Sequence, residues 1–403
     1  MGFIILFLIN FEIKDYLNAI KYKTPAYEYA KDSIIKIGEE ALPFLLEILK
    51  DKREEIDYKI EICDIIGKIK SNKAIPVLNS LLNDPHPGLR GGAIKALGEI
   101  GDTSSFSYIV KMLNDPHDLV RREAIIALKS INDKRSIPFL KKALLKEKDY
   151  TNISEIIKVF GYFKAKETIN EIFYFLKAKE ENVKISAIYA IGEIGEVDEK
   201  IIDTLLLYLE TENDYIKREI INALGKLKIK KAVRKIAEFL HSNNMLLKKE
   251  AIISLANIES DSSLIYLITA IFDPQKEIGE FTKKILKEKE NMKFKLKEVI
   301  EDREKELKIR RGAFEIIKEI YSKEEIINIL KKIFPDEKNE IYELILNGKI
   351  KEGMTEEEVY FSKGEPKRIA FYKSKRKKEW EYENEIIEFE GGKVIKIKSI
   401  LKK

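Results

Sequence analysis

The chain has 403 residues, 44% hydrophobic and 35% charged, with 74 Lys+Arg against 69 Asp+Glu. This length favours two or three domains with a sizeable core, and a net charge of only +5 excludes a globally basic nucleic-acid-binding surface. A single cysteine, Cys63, excludes a disulfide framework and a cysteine metal cluster; three histidines leave little for metal or general-base chemistry, so no metal and no cofactor are expected.

Glutamine occurs once, at Gln275, among abundant Lys, Glu and Ile, a usage that fits either a heat-adapted cytoplasmic protein or AT-rich codon bias. In chain order, residues 2–9 (GFIILFLI) form an apolar run closed by Asn10 and Glu12. The run falls short of the roughly 20 apolar residues a spanning helix needs, and it lacks a basic region and a cleavage site. The expectation is a short element packing on the first helices, or translation begun too early. A weak peripheral membrane contact is the alternative.

From residue 25 the sequence repeats. AIKALGEIG at residues 93–101 and AIYAIGEIG at 187–195 differ at two places. The same slot holds Gly38, Gly67, Gly98, Gly161, Gly192 and Gly225, with Lys129 and Ala256 in the two slots without glycine; spacings are 29 to 33 residues. Each unit holds two helical patterns. Over residues 89–100, Leu89, Ala93, Ile94, Leu97 and Ile100 recur at helical spacing. Gly98 and Gly101 thin the helix end for a close neighbour and a tight exit turn.

A second helix is expected over residues 105–113, with Phe106, Ile109, Met112 and Leu113 inward. Pro43, Pro76 and Pro138 stand where second helices start. Asn-Asp-Pro-His at residues 83–86 and 114–117 reads as a helix stop followed by a cap. Helices of two to three turns cannot hide an apolar stripe alone, so neighbouring pairs must stack into an α-solenoid. Units are legible from residue 25 to 272, with degenerate ones over 281–300 and 307–333, and a cap helix over 336–346.

The pattern N/D-x-x-x-V/L-R-x-x-A-x-x-A-L-G-x-I-G, clearest at residues 83–101 and 114–128, resembles the HEAT repeats, in the short 31-residue form of phycobilin lyases. Coverage is about residues 25–333. One enzyme class with such repeats, deoxyhypusine hydroxylase, binds iron through His-Glu dipeptides at helix starts. The corresponding slots here hold Arg122-Glu123, Arg218-Glu219 and Lys249-Glu250, and a cation cannot ligate iron. His86 and His117, one repeat apart in identical turns, read as turn residues rather than a metal pair.

Cations recur near the first helices: Arg90, Arg121, Lys184, Lys217, Lys248 and Arg310. They read either as partners of acidic turn residues such as Asp84, Asp115 and Asp214, or as a phosphate-tracking ladder. Residues 1–346 carry 59 basic and 58 acidic residues, which favours the ion pairs. Tyr108, Phe139, Tyr174, Tyr208 and Phe239 lie on second helices, the layer that lines the concave face in such solenoids. Most are expected in the core, with one or two exposed. Tyr108, Lys111, Lys142 and Tyr174 are the candidate partner contacts of the array. Cys63 sits in an apolar pattern and is expected to be buried.

Beyond residue 347 the period ends. Thr355 with Glu358 three on forms a capping box before a helix. Period-2 runs follow at 368–372, 379–382, 385–390 and 393–400, with Gly391-Gly392 marking a hairpin. A helix backed by an antiparallel sheet suits this small α+β domain over 347–403. Gly353-Met354-Thr355, Gly364-x-Pro366, Trp380-x-Tyr382 and Gly392-x-Val394 resemble the SmpA/OmlA-type modules. That resemblance implies binding through a sheet face, without the lipid-anchored cysteine of those proteins.

The segment carries 15 basic against 11 acidic residues, with Lys373, Lys375, Arg376, Lys377 and Lys378 expected in one inter-strand loop. The combined expectation is a mainly α, non-enzymatic scaffold gripping a protein partner on the solenoid, with the C-terminal domain as a second contact. The alternatives are a nucleic-acid binder using the cation ladder and the 373–378 loop, and an accessory or lyase-like subunit of an enzyme.

Overall fold

A computed structural model describes residues 2–372 and 377–400, those before residue 12 by backbone alone. The chain divides into two compact units at residues 202 and 203. Unit one opens with α1 (Gly2–Lys21), which takes up the apolar run; how residues 2–9 pack lies outside the described side chains. Among the described residues no helix is long and apolar enough to cross a membrane.

Helical pairs follow: α2 (Tyr27–Ile37) with α3 (Leu42–Lys50), α4 (Ile56–Ile69) with α5 (Ile75–Leu81), α6 (Pro87–Ile100) with α7 (Phe106–Met112), α8 (Asp118–Ile131) with α9 (Ile137–Leu144), and α10 (Tyr150–Phe163) with α11 (Ile169–Phe175). The next first helix is α12 (Glu181–Ile194), and α13 (Glu199–Thr211) crosses the division. On α6 the stripe is buried as expected at Leu89, Ala93, Ile94 and Leu97, and widens to take in Ala96 and Gly98. On α7, Ile109 and Leu113 are buried, while Phe106 and Met112 are only half-buried.

The glycine slot sets how closely first helices approach one another. A Cβ on Gly98 would stand 2.8 Å from the Cα of Ala127, and one on Gly161 2.8 Å from the Cα of Ala190. At Gly67 a Cβ would meet Ala96 Cα at 3.0 Å. Gly38 departs from the expectation: it lies beyond α2 at φ +71°, with open space around its Cβ position. There glycine serves a left-handed exit, and helix spacing is set elsewhere.

Three residues beyond the slot the backbone turns left-handed, at Lys70, Gly101, Asn132, Lys164, Gly195, Lys228 and Glu259. Only two of the seven are glycine. A single tight turn then precedes most second helices. Ser71, Asp102 and Asp133 cap it by accepting the amide two residues on. Pro43, Pro76 and Pro138 occupy the first turn of α3, α5 and α9.

The Asn-Asp-Pro-His turn works differently from the expected cap. His86 and His117 occupy the N-cap positions without capping side-chain bonds. Asp84 and Asp115 instead accept the amides of His86 and His117, at 2.8 and 2.9 Å. The aspartates close an Asx turn ahead of the helix.

Unit two continues with α14 (Asp214–Lys226), α15 (Val233–Glu238), α16 (Met245–Ile258), α17 (Asp261–Ala270), α18 (Lys276–Glu288), α19 (Glu290–Glu301), α20 (Leu307–Ile317) and α21 (Lys323–Ile333). The cap helix, α22 (Asn339–Leu346), starts three residues later than expected. A Cβ on Gly225 would meet Ser254 at 2.7 Å, so the slot works here as in unit one.

Last comes α23 (Glu356–Lys363), begun by the expected Thr355/Glu358 capping box, and an antiparallel sheet of order β1-β2-β3-β4. Its strands are β1 (Arg368–Tyr372), β2 (Lys377–Glu381), β3 (Glu385–Glu390) and β4 (Lys393–Ser399). Phe361 on α23 sits between Phe314 of α20 and Phe334, with ring centroids 5.4 and 5.5 Å away. Trp380, Ile387, Phe389 and Val394 are buried on the sheet face toward α23.

Candidate functional site

Four of the six cations of the repeats, Arg90, Arg121, Lys248 and Arg310, hold acidic partners within the protein. Arg90 forks onto Asp115 of the next repeat through Nε and Nη2, both at 2.8 Å, and its Nη1 donates to the carbonyls of Asp84 and Pro85. Arg121 repeats this with Glu147, at 2.8 and 2.7 Å, and with the carbonyls of Asp115 and Pro116. Lys248 pairs with Asp273 at 2.9 Å, and Arg310 with Glu357 at 2.6 Å. Burial opposes the charge on Asp115 and Glu147. The arginine forks and backbone amides outweigh it, leaving Asp115 below the usual carboxylate range and Glu147 at about 2. Such bidentate pairs fix the angle between adjacent repeats and leave these guanidinium groups little to offer a phosphate.

The aromatic residues of the second helices lie outward. Tyr108 on α7 is 46% exposed, Phe139 on α9 44% and Tyr174 on α11 75%. Tyr208 and Phe239 are half-buried, so none of the five belongs to the core as most were expected to. Helices α7, α9 and α11 have seven or eight residues and bury only one narrow stripe, which leaves the rest of the circumference outside. The Lys111 ammonium lies 5.6 Å from the Tyr108 ring, and Phe139 meets Phe106 edge-on at 6.1 Å. Lys142 is exposed on α9.

A cleft of about 380 Å³ on the first helices of unit one escaped the sequence reading. Its floor is Gly88, Gly91 and Gly92 of α6, and Ile60, Leu119 and Glu123 stand around it. Unlike Gly98, Gly91 is not required by packing, since a Cβ there would find only Glu123 Cγ at 3.7 Å. Burial pushes the Glu123 carboxyl up. The signal was present in the sequence as three glycines in one helical turn and a half, where helix propensity disfavours them.

Of the cationic run, Lys373, Lys375 and Arg376 lie outside the described residues. Lys377 and Lys378 are not loop residues as expected: they begin β2, paired opposite Tyr372 and Phe371. Lys378 reaches Glu356 at 2.5 Å and lies 5.3 Å from the Phe371 ring. Period-2 reading missed the start of β2 because two lysines open it in place of an apolar residue.

His117 Nδ1 lies 3.4 Å from Asp118 Oδ1. Among the described residues no group of three His, Cys, Asp or Glu side chains is placed to hold a metal. Cys63 is buried, its thiol pushed up to about 12 by burial, which keeps it protonated and unreactive at neutral pH.

Among curated proteins none matches this chain in sequence. Among solved structures it is similar to the CpcE–CpcF complex of phycocyanin lyase from Nostoc sp. PCC7120, at 19% identity over 56% of this chain and 91% of that one, TM-score 0.37. It is similar to YibA of Escherichia coli at 18% identity over 66% and 97%, TM-score 0.49. With importin beta the identity is 11% over 82% of this chain and 55% of the other, TM-score 0.46. A family model for HEAT repeats matches residues 42–129, 80–154 and 202–278, all short of the C-terminal sheet. Stacked pairs with a glycine or small residue at the close approach, matched by that model in three places, show that residues 42–154 and 202–278 of this chain are HEAT repeats.

Proposed function

We propose that the chain is a non-enzymatic scaffold that binds a protein partner through its helical repeats, with the C-terminal sheet as a second contact. The observation that carries this is the outward set of aromatic residues Tyr108, Phe139 and Tyr174 on consecutive second helices, beside Lys111 and Lys142. Exposed aromatics of this size are the usual anchors of protein interfaces. The HEAT fold supplies long surfaces of repeated helices on which such anchors stand in series. Nucleic-acid binding through the ladder is the weaker reading, because Arg90, Arg121, Lys248 and Arg310 already hold acidic partners.

The test is affinity capture of the native protein, followed by titration of the purified partner against the chain with Tyr108→Ala and Tyr174→Ala combined. Affinity is expected to fall at least tenfold with the unfolding midpoint unchanged. Unchanged affinity, or a purified chain that turns over a small metabolite, would overturn the proposal.

A further inference from the structure

We infer that the outer edge of β1 accepts an extended, acidic segment of a partner protein as a fifth strand of the C-terminal sheet. The sheet has two edges, and they are treated differently. Beyond β4, Gly353 and Met354 exchange backbone hydrogen bonds with Val394, both 2.8 Å, and Thr355 bridges to Lys393. That edge is covered at Lys393 and Val394, and among the described residues the rest of β4 has no second strand partner. Among the described residues β1 is paired with β2 alone, so one row of its amides and carbonyls has no strand partner. A free edge of this kind is a template for strand addition.

The side chains say the same about the face. Cross-strand register puts Ile369 and Phe371 on the face that holds Trp380, Ile387, Phe389 and Val394. Those four are at most 5% exposed, but Ile369 is 45% and Phe371 69% exposed. The core face therefore continues onto β1 and is left uncovered there. A cleft of about 290 Å³ opens beside Phe371, with Phe389 and Lys378 in its walls. A strand laid along β1 would satisfy the backbone edge and place alternate apolar side chains over Ile369 and Phe371.

Charge selects the occupant. Residues 367–378 contain seven Lys or Arg and no Asp or Glu; Lys367 and Lys378 are held by Glu383 and Glu356, while Arg368 stands exposed on the edge strand itself. Antiparallel pairing of two copies of β1 would set one such cationic segment against another, and like charges across a strand pair are destabilising. An apolar–acidic alternation meets both the uncovered face and the positive flank.

The inference rests on the reading of the C-terminal sheet as a contact point. Its test uses a defined peptide, so its failure would leave partner capture through Tyr108 and Tyr174 standing. The full-length chain is titrated by fluorescence anisotropy with a labelled ten-residue peptide alternating valine and glutamate. Two controls are a valine–lysine peptide and the acidic peptide N-methylated at alternate backbone amides.

The acidic peptide is expected to bind and to slow hydrogen exchange at residues 368–372. Phe371→Ser and Arg368→Glu, both at exposed positions, should each weaken it at least tenfold without moving the thermal midpoint. Equal binding of either control peptide, or slowed exchange elsewhere with residues 368–372 unchanged, would overturn the inference. So would concentration-dependent self-association abolished by Phe371→Ser, which would make a second copy the occupant.

Discussion

Glu147 and Glu123 are both half-hidden carboxyls on consecutive repeats, and they bear on stability with opposite sign. Glu147 takes two hydrogen bonds from Arg121 and further ones from the amides of Lys148 and Asp149. With its folded value at about 2, its contribution is whole above the unfolded carboxylate value of about 4.3 and is lost as pH falls from there toward 2. Glu123 is raised by burial, so its protonated form is the one the fold prefers. Its contribution is whole below the unfolded value and is lost as pH rises through its folded value.

At pH 7, Glu147→Gln should therefore lower the urea midpoint and Glu123→Gln should raise it. Both differences should shrink on acidification, that of Glu123→Gln vanishing first. Midpoints moving in the same direction at pH 7 would contradict these assignments. The sequence made Arg121 and an acidic partner legible, but it offered Asp84, Asp115 and Asp214 as partners. The fork onto Glu147 depends on where the next repeat's turn ends in space, and a one-repeat pattern does not contain that.

At the scale of the element, spacing between first helices depends on which glycines are forced. The 31-residue period exposed the slot glycines, yet it treated Gly38 as equivalent to Gly98. A left-handed helix exit and a close helix contact both select glycine, so one letter carries two meanings. The reverse ambiguity hid the α6 cleft, where Gly91 has no backbone neighbour to avoid.

The two cases separate by substitution. Gly98→Ala drives a methyl to 2.8 Å from the Ala127 backbone and should destabilise by about 1–3 kcal/mol. Gly91→Ala adds helix propensity without a clash and should stabilise by about 0.5–1 kcal/mol. Urea unfolding followed by helical circular dichroism reads both, and equal effects would show that Gly91 is as constrained as Gly98. The strands were read to the residue for β1 and β3. The start of β2 was hidden because its lysines face Phe371 and Tyr372 across the ladder instead of contributing a hydrophobic alternation.

For the whole molecule, the repeat architecture makes stability a sum of local terms. Within each unit helical pairs bury their stripes against neighbouring pairs, and ion pairs such as Arg90–Asp115 and Arg121–Glu147 join only consecutive repeats. The C-terminal sheet has its own core in Trp380, Ile387 and Phe389, anchored through α23 by Phe361 and by the Arg310–Glu357 pair. Damage in unit one should therefore stay near its origin.

Leu97, fully buried on α6, is the position to try. Leu97→Ala removes about 2–5 kcal/mol of packing, enough to open α6 and its neighbours locally without unfolding the chain. Hydrogen exchange followed by mass spectrometry should then accelerate across residues 56–144 and leave residues 377–399 at the rates of the unsubstituted chain. The size of the acceleration should fall with each repeat away from α6, because every interface crossed adds its own barrier to opening. Uniform acceleration through β2, β3 and β4 would mean that the chain unfolds as one cooperative body, and nearest-neighbour stacking would then not be what holds this fold.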